Sequence, residues 1–298
     1  MKIAVMGAGA VGCYYGALLA RAGHEVVLIG RAAHAGTITR EGLRLERAEG
    51  STQVPLAAST EAAAAAGAEL VLCCVKSPDT DRAARELRPH LAAGTRVLSL
   101  QNGVDNAQRL QAALPGVRVA PTVVYVAVEM AGPGHVRHKG GGTLVVAPDA
   151  LPPALLEILR AAGITVRCED VNLALWTKLV LNCAWNAPSA ITQMSYGEIW
   201  PHAAAQTLMR AVAAECHAVA AAEGVALPAD LWPAIAGLAK TMPGQLSSTA
   251  QDLARARPSE IEHLNGYIVR TGARHGLATP ANQALTALVH LLEARAAR

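Results

Sequence analysis

The sequence predicts an α/β chain in two parts: a strand–helix alternating N-terminal region built on a parallel sheet, followed by a mostly α-helical C-terminal region. Three observations carry this prediction. The chain has 298 residues, enough for about two domains, each with its own core. Over residues 1–169 short β-type apolar runs alternate with helical runs, the pattern of a sheet covered on both faces. From residue 170 to 298 strand signals nearly vanish and long Ala/Leu-rich runs take over, so the boundary is placed at 169/170.

The elements follow in order. Lys2–Met6 (KIAVM) reads as a buried strand. Gly12–Ala22 reads as a helix, closed by Gly23 in the manner of a glycine C-cap. Glu25–Ile29 (EVVLI) is a second strand. The Ala-rich run Glu61–Ala66 suggests a short helix before a third strand, Glu69–Val75. A helix around Asp81–Leu91 leads to a fourth strand, Arg96–Leu100. Asn106–Ala113 reads as helical and Arg118–Ala120 as extended. The apolar runs of Pro121–Val146 are separated by PGH and KGGG and read as antiparallel strands added to the sheet edge. Ala154–Ala162 is a helix and Thr165–Arg167 a short strand. The second part reads as helices over Val171–Ala187, Ala203–Glu223, Leu231–Ala239, Pro258–Gly272 and Asn282–Ala297.

Composition narrows the function classes. Charged residues are 16% and hydrophobic residues 52%, which argues against disorder. Aromatics are 3%, with no Phe, which argues against base-stacking modules for single-stranded nucleic acid. A net charge of +3 predicts no strong field for nucleic acid or an anionic membrane. Six Cys, at 13, 73, 74, 168, 183 and 216, lack the spacing of a disulfide framework or a zinc site. They read as reduced thiols in a cytoplasmic protein. The apolar start imitates a signal peptide, but its glycine spacing offers a better account. The charge-free stretch from Leu179 to Gly197 carries Asn182, Asn186, Pro188 and Gln193, which makes it a poor lipid span. No membrane or nucleic-acid partner is expected, and no metal.

Gly7-Ala8-Gly9-Ala10-Val11-Gly12 matches G-x-G-x-x-G. It follows a predicted strand at once and opens a predicted helix. That placement is what a dinucleotide needs: the first glycine makes the tight turn, the second lets the backbone approach the pyrophosphate, and the third lets helix and strand pack closely. The phosphates then sit at a helix N-terminus, where free N–H groups and the dipole favour anions. The first part therefore reads as a Rossmann-type dinucleotide-binding domain. An NAD site usually carries Asp or Glu at the end of the second strand, about 20 residues past the motif, to hold the ribose 2′-OH. Here the strand ends in Gly30-Arg31, nineteen residues after Gly12. A guanidinium pairs with a 2′-phosphate in forked geometry, so NADP(H) is favoured.

Lys178, Asn182 and Asn186 are spaced i, i+4, i+8 in an otherwise apolar run. Each step of four turns only about 40° around a helix, so the three share one stripe. A Lys and two Asn on a buried helix must be satisfied by something. A small polar ligand is one candidate; solvent or the first domain is the other.

These residues bring a family into view. The chain resembles ketopantoate reductase (2-dehydropantoate 2-reductase) over essentially its whole length. The resemblance rests on GAGAVG with Arg31, Val75-Lys76, Gln101-Asn102-Gly103 and the run Lys178 to Asn186. It continues through Ser247-Ser248 to Asp252, then Glu260-Ile261 and Asn265-Gly266-Tyr267. It implies NADPH-dependent reduction of ketopantoate to pantoate, a step of pantothenate and coenzyme A biosynthesis, by a monomer or homodimer. It implies that Lys178 is the catalytic lysine, that Asn182, Asn186 and Ser248 bind substrate, and that Glu260 helps hold substrate and lysine. It places Asn102 near both cofactor and substrate and Lys76 on the cofactor side, with Gly7, Gly9, Ala10, Val11, Gly12 and Arg31. Gln245, Tyr196 and Trp185 depart from the usual pattern, which leaves a related 2-oxo acid open as the substrate. An opine-type or other hydroxy-acid dehydrogenase, and a non-catalytic NADP(H)-binding sensor, are the other readings.

The chemistry fits this expectation. Reducing a 2-oxo acid delivers hydride to the carbonyl carbon while the oxygen gains a proton. An ammonium can give that proton and stabilise the developing alkoxide. Glu260 lies just inside the start of the helix expected after Pro258, and Ser248 can double as an N-cap.

Overall fold

The computed structural model describes residues 1–296, and Ala297, the last residue of the helix expected from Asn282, lies outside them. The chain divides into two compact units, Met1–Val171 and the residues from Asn172 onward.

The first unit contains β1 (Lys2–Met6), α1 (Ala10–Arg21), β2 (Glu25–Ile29), α2 (Ala32–Glu41), β3 (Leu43–Arg47), β4 (Gly50–Val54) and β5 (Ala57–Ser59). It continues with β6 (Leu70–Cys73), α3 (Thr80–Leu87), β7 (Arg96–Ser99), α4 (Asn106–Ala113) and β8 (Arg118–Pro121). It ends with β9 (Val123–Gly132), β10 (His135–Val146), α5 (Pro153–Ala161) and β11 (Thr165–Cys168). Six strands pair in the order β5-β2-β1-β6-β7-β8, parallel throughout. Because side chains alternate along a strand, β1 sends Ile3 and Val5 to one face and Ala4 and Met6 to the other. Each pair joins a different core cluster. This is the doubly covered parallel sheet that near-continuous apolar runs encode, and it is a Rossmann-type architecture.

One expectation is corrected here. The strands of Pro121–Val146 do not extend the edge of the parallel sheet. β9 pairs antiparallel with β10, and β10 belongs to a second sheet ordered β11-β10-β3-β4. Helix α1 packs against both sheets: its residues Gly12 through Leu19 are all buried, and Ile3, Leu28, Val124, Val136 and Leu144 share one cluster with it. A helix that is apolar all round needs cover on both sides, and the second sheet supplies it. The β3–β4 hairpin and α2 were not anticipated. Their stretch is charged and half-exposed, and only Leu43, Leu45 and Val54 of the hairpin are buried.

The second unit holds α6 (Val171–Thr192), α7 (Tyr196–Ile199), α8 (Ala203–Ala222), α9 (Trp232–Thr241), α10 (Ser248–Ala254), α11 (Asn265–Arg274) and α12 (Pro280–Ala296). Two further expectations change. Helix α6 was expected to stop before Pro188, since proline removes an N–H and clashes with the preceding turn. It runs on to Thr192. Side chains close its last turn: the Thr192 hydroxyl donates to Pro188 O at 2.7 Å, and Gln193, in a left-handed conformation at φ 56°, donates to Ala190 O at 2.7 Å. The helix expected over Pro258–Gly272 is interrupted. A single 3₁₀ turn, Ile261–His263, precedes Leu264 at φ −113°, ψ −102°, and only then does α11 begin. Among the described residues no helix is long and apolar enough to cross a membrane.

Candidate active site

In the first unit the loops that follow β1, β2, β6 and β7 converge at the C-terminal ends of parallel strands, where open α/β sheets bind ligands. The three motif glycines do three different things. Gly7 sits at φ 112°, and a Cβ there would lie 2.6 Å from Val75 N and 2.7 Å from Cys74 C. Only glycine combines that conformation with that approach. A Cβ on Gly12 would lie 2.2 Å from Gly7 O and 2.8 Å from a methyl of Val5, so its absence lets α1 pack on β1. A Cβ on Gly9 would meet nothing within 4 Å. Gly9 is the N-cap of α1 and makes no side-chain cap, and the first turn, which includes Ala10 and Val11, holds no acidic residue. Free N–H groups beside open space fit a pyrophosphate.

Gly7 and Ala8 both donate to Ile29 O, at 2.9 and 3.0 Å, which ties the motif loop to the end of β2. Gly30 leaves room for Ala8, whose methyl would stand 2.5 Å from a Cβ. Arg31 follows as the exposed N-cap residue of α2, one residue past the Gly30–Ala8 contact.

Lys76 and Asn102 are both half-buried and lie on loops joined by a polar network. Gln101 donates to Val75 O at 3.1 Å and to the Thr80 hydroxyl at 2.7 Å. Thr80 donates to Asn106 at 2.8 Å, and Asn106 donates to the Ser77 hydroxyl at 2.9 Å and to Asn102 O at 2.5 Å. Ser77 also donates to Asn102 O, at 3.1 Å. Ser77, Thr80, Gln101 and Asn106 are all buried. Such a network, satisfied from several sides, holds a loop rigidly. Sequence reasoning missed Thr80 and Asn106. Their signal, polar residues on the inward faces of α3 and α4, carries no motif. Asn102 itself precedes Gly103 at φ 88°, so the turn needs glycine there.

In the second unit the expected stripe runs along α6. Lys178 and Asn182 are half-buried and Asn186 is buried. Burial pulls the Lys178 ammonium down to about 8, and the neighbouring Glu260 carboxylate works in the opposite direction. The stripe thus meets a carboxylate from more than eighty residues along the chain. Glu260 reaches it from the N-cap position of the 3₁₀ turn, not from the first turn of a long helix.

The cap of α10 is Ser247, not Ser248. Ser247 Oγ accepts from Ala250 N at 3.0 Å and donates to Asn186 O at 3.0 Å, while its own N–H donates to Ser189 Oγ at 3.2 Å. Ser247 thereby fastens α10 to α6 and leaves Ser248 exposed one residue on, its hydroxyl 3.5 Å from Asn186 Nδ2. Asn265 does a similar job for α11: fully buried, it donates to Cys183 O at 3.1 Å and to Asn282 Oδ1 at 2.9 Å.

Two of the unusual residues prove to be core. Trp185 is fully buried, donates its indole N–H to Ile235 O at 3.0 Å, and packs 4.5 Å from the Tyr196 ring, itself 8% exposed. Gln245 is half-buried and accepts from Tyr196 N at 3.0 Å through its carbonyl.

The ketopantoate reductase PanE/ApbA profile matches residues 3–150, and its C-terminal profile matches residues 170–293. A 2-dehydropantoate 2-reductase of Caulobacter vibrioides is 34% identical over 97% of this chain and 98% of its own. A crystal structure of a PanE/ApbA family ketopantoate reductase from Ralstonia eutropha is 55% identical, covers all of both chains and superposes with a TM-score of 0.96. D-mandelate dehydrogenase in ternary complex with NADH and anilino(oxo)acetate is 25% identical over 100% of this chain and 99% of its own, with a TM-score of 0.89. With both profiles matched in order over a glycine-loop unit and a lysine-bearing helical unit, the chain belongs to the ketopantoate reductase PanE/ApbA family and is an oxidoreductase.

Proposed function

We propose that the chain reduces ketopantoate to pantoate with NADPH, the step that serves pantothenate and coenzyme A biosynthesis. Residues 1–169 hold the cofactor and residues 170–298 hold the substrate and the proton donor. The observation that carries this reading is Lys178: a half-buried ammonium, drawn down to about 8, beside the Glu260 carboxylate on a polar stripe. The relatives' reaction, reduction of a 2-oxo acid, needs such a group.

The backbone of Gly7, Gly9, Ala10, Val11 and Gly12 would hold the cofactor, with Arg31 pairing with the 2′-phosphate, Lys76 on the cofactor side and Asn102 near both cofactor and substrate. A bound nicotinamide supplies a hydride for the carbonyl carbon. The chain's own part is positioning and proton transfer. Lys178 Nζ donates a proton to the carbonyl oxygen and stabilises the negative charge that develops there. With its value near 8 the ammonium remains mostly protonated at neutral pH, yet gives up its proton more readily than an ordinary lysine. Glu260 orients the ammonium and contacts the substrate. Asn182 and Asn186 donate amide N–H groups, and Ser248 its hydroxyl, to the oxygens of the 2-oxo acid. The Ser247 anchor and the buried Asn186 keep this donor set on one rigid helix pair.

A second reading is reduction of a different 2-oxo acid. Gln245 favours it, together with the similarity to D-mandelate dehydrogenase. Steady-state kcat/KM for ketopantoate against branched-chain and aryl 2-oxo acids, each with NADPH and NADH, separates the two. Ketopantoate with NADPH is expected to be the best pair; an aryl acid ahead of it would overturn the substrate assignment and keep the chemistry.

A further inference from the structure

Glu260 stands on a stretch that regular structure does not hold. It follows the exposed residues Arg255–Pro258, the 3₁₀ turn after it is three residues long, and Leu264 breaks the path to α11. Yet its carboxylate must be placed against a lysine on another helix. The residues on either side of it show how. Ser259, one residue before, is buried and donates its backbone N–H to Glu293 Oε1 on α12 at 2.7 Å. Glu262, two residues after, is paired with Arg270 of α11, which also donates to Glu262 O at 2.7 Å. A single imidazole joins the two anchors: His290 Nδ1 lies 3.0 Å from Glu293 Oε2, and His290 Nε2 lies 2.6 Å from Glu262 Oε1.

We propose that His290, bridging Glu293 and Glu262, is a positioning residue for Glu260 and so for substrate binding beside Lys178. The inference rests on the role assigned to Glu260 above. Both ring nitrogens face carboxylates, so the ring satisfies both as a cation with two N–H donors. The carboxylates Glu262 and Glu293 raise the imidazole's affinity for a proton against the opposing effect of burial. Charge-assisted bonds of this kind hold geometry better than neutral ones. Gly266 belongs to the same device. A Cβ there would stand 2.8 Å from Glu262 Oε2 and 3.3 Å from Arg270 Nη1, so glycine at this first turn of α11 gives the Glu262–Arg270 pair its room. The clamp is partly open to solvent, with side-chain exposures of 42% for His290 and 22% for Glu293. It acts as a steadying contact, not as a deep structural bond.

The test is a set of kinetic variants read for KM and kcat separately. His290→Leu is expected to raise the 2-oxo acid KM by roughly 3- to 30-fold, the range of coupled neighbours. It should lower kcat less and leave NADPH affinity unchanged. Glu293→Gln keeps the shape and the acceptor for Ser259 N–H but removes one charge. It is expected to give a smaller rise of the same kind, and it carries the test alone if His290→Leu does not fold. The deciding measurement is the double variant. On a Glu260→Gln background, His290→Leu or Glu293→Gln should add little to KM, because both changes act through the same carboxylate. Independent, multiplying effects overturn the proposal, as does an unchanged KM in Glu293→Gln together with His290→Leu or, if that protein does not fold, in Glu293→Gln alone. If Glu260→Gln itself leaves KM and kcat intact, the role of Glu260 falls first, and the clamp is then read as a fold contact.

Discussion

The glycine loop of the first unit and the lysine cluster of the second are made in opposite ways. The dinucleotide loop in the first unit is built from missing side chains: Gly7, Gly9 and Gly12 act through the space that they leave, within six consecutive residues. The candidate lysine site in the second unit draws on side chains from separate segments: Lys178, Asn182 and Asn186 from α6, Ser248 from α10 and Glu260 from an irregular turn. A contiguous backbone site is robust, because its geometry is mostly local. A site assembled from three segments depends on every anchor that seats them, such as Ser247 on α6 and Asn265 on Cys183 O. The contrast predicts that damage to the glycine loop shows up as lost cofactor affinity. Damage to the lysine cluster shows up as lost turnover or raised substrate KM, with the cofactor still bound.

The largest effect is expected at Lys178. Lys178→Ala should lower kcat by roughly 10²–10⁴, the usual worth of a general acid, with NADPH affinity measured by fluorescence titration unchanged. In the unmodified protein kcat/KM for reduction should fall as pH rises through about 8, because the donor must be protonated. Near-normal turnover in the variant would remove Lys178 from the mechanism, and lost NADPH affinity would break the division of roles between the two units.

Next come the glycines, which should separate. Gly12→Ala places a methyl against Gly7 O and Val5 and should cost about 1–3 kcal/mol of stability through overpacking. Gly9→Ala meets no protein atom and should leave stability within about 0.5 kcal/mol while weakening NADPH. Equal thermal destabilisation of both variants would remove the distinction between packing glycine and cofactor glycine.

Arg31→Ala should raise the KM for NADPH by about tenfold, the size of a lost charge-assisted bond, and hardly alter the KM for NADH. Equal changes for both cofactors would take the 2′-phosphate from Arg31.

The smallest effect concerns stability. An ammonium held below its ordinary value binds fewer protons folded than unfolded between about pH 8 and 10.5. Its burial therefore costs stability below pH 8, and that cost is relieved as pH rises through this window. Lys178→Met should stabilise the protein at pH 7 by on the order of 1 kcal/mol, after the loss of the Glu260 partner is set against it. The gain should shrink above pH 8 in urea melts. A destabilised variant at pH 7 would mean that the Glu260 attraction outweighs the burial cost.

The anticipated and the unanticipated parts of the molecule divide along similar lines. The strands Lys2–Met6 and Glu25–Ile29, the helix opened by the glycine motif and the stripe of Lys178, Asn182 and Asn186 all rest on spacing within one element. The structure has those strands at these residues and that helix at Ala10–Arg21. Asn106 and Thr80, which steady the loops of Lys76 and Asn102, were not anticipated. Apart from the local bond from Asn106 to Asn102 O, they act through partners more than twenty residues away.

By itself the sequence determined what repeats at short range: the apolar strand runs, the glycine loop, and the face of α6 that carries its polar residues. Backbone sterics and helical periodicity act over a few residues, and a few residues are enough to read them. Tertiary structure alone decided that β9 and β10 join β3 and β11 rather than the edge of the parallel sheet, since a strand's unpaired edge does not name its partner. It decided that Ser247 caps α10 and leaves Ser248 exposed, because Ser247 finds Asn186 O and Ser189 Oγ on another helix. It also placed Glu260 before a broken helix, beside a lysine more than eighty residues away. No continuous helix follows Pro258, and contacts joining Ser259, Glu262, His290 and Glu293 tie that stretch to α12. Such long-range contacts outweigh a local propensity worth tenths of a kcal/mol per residue.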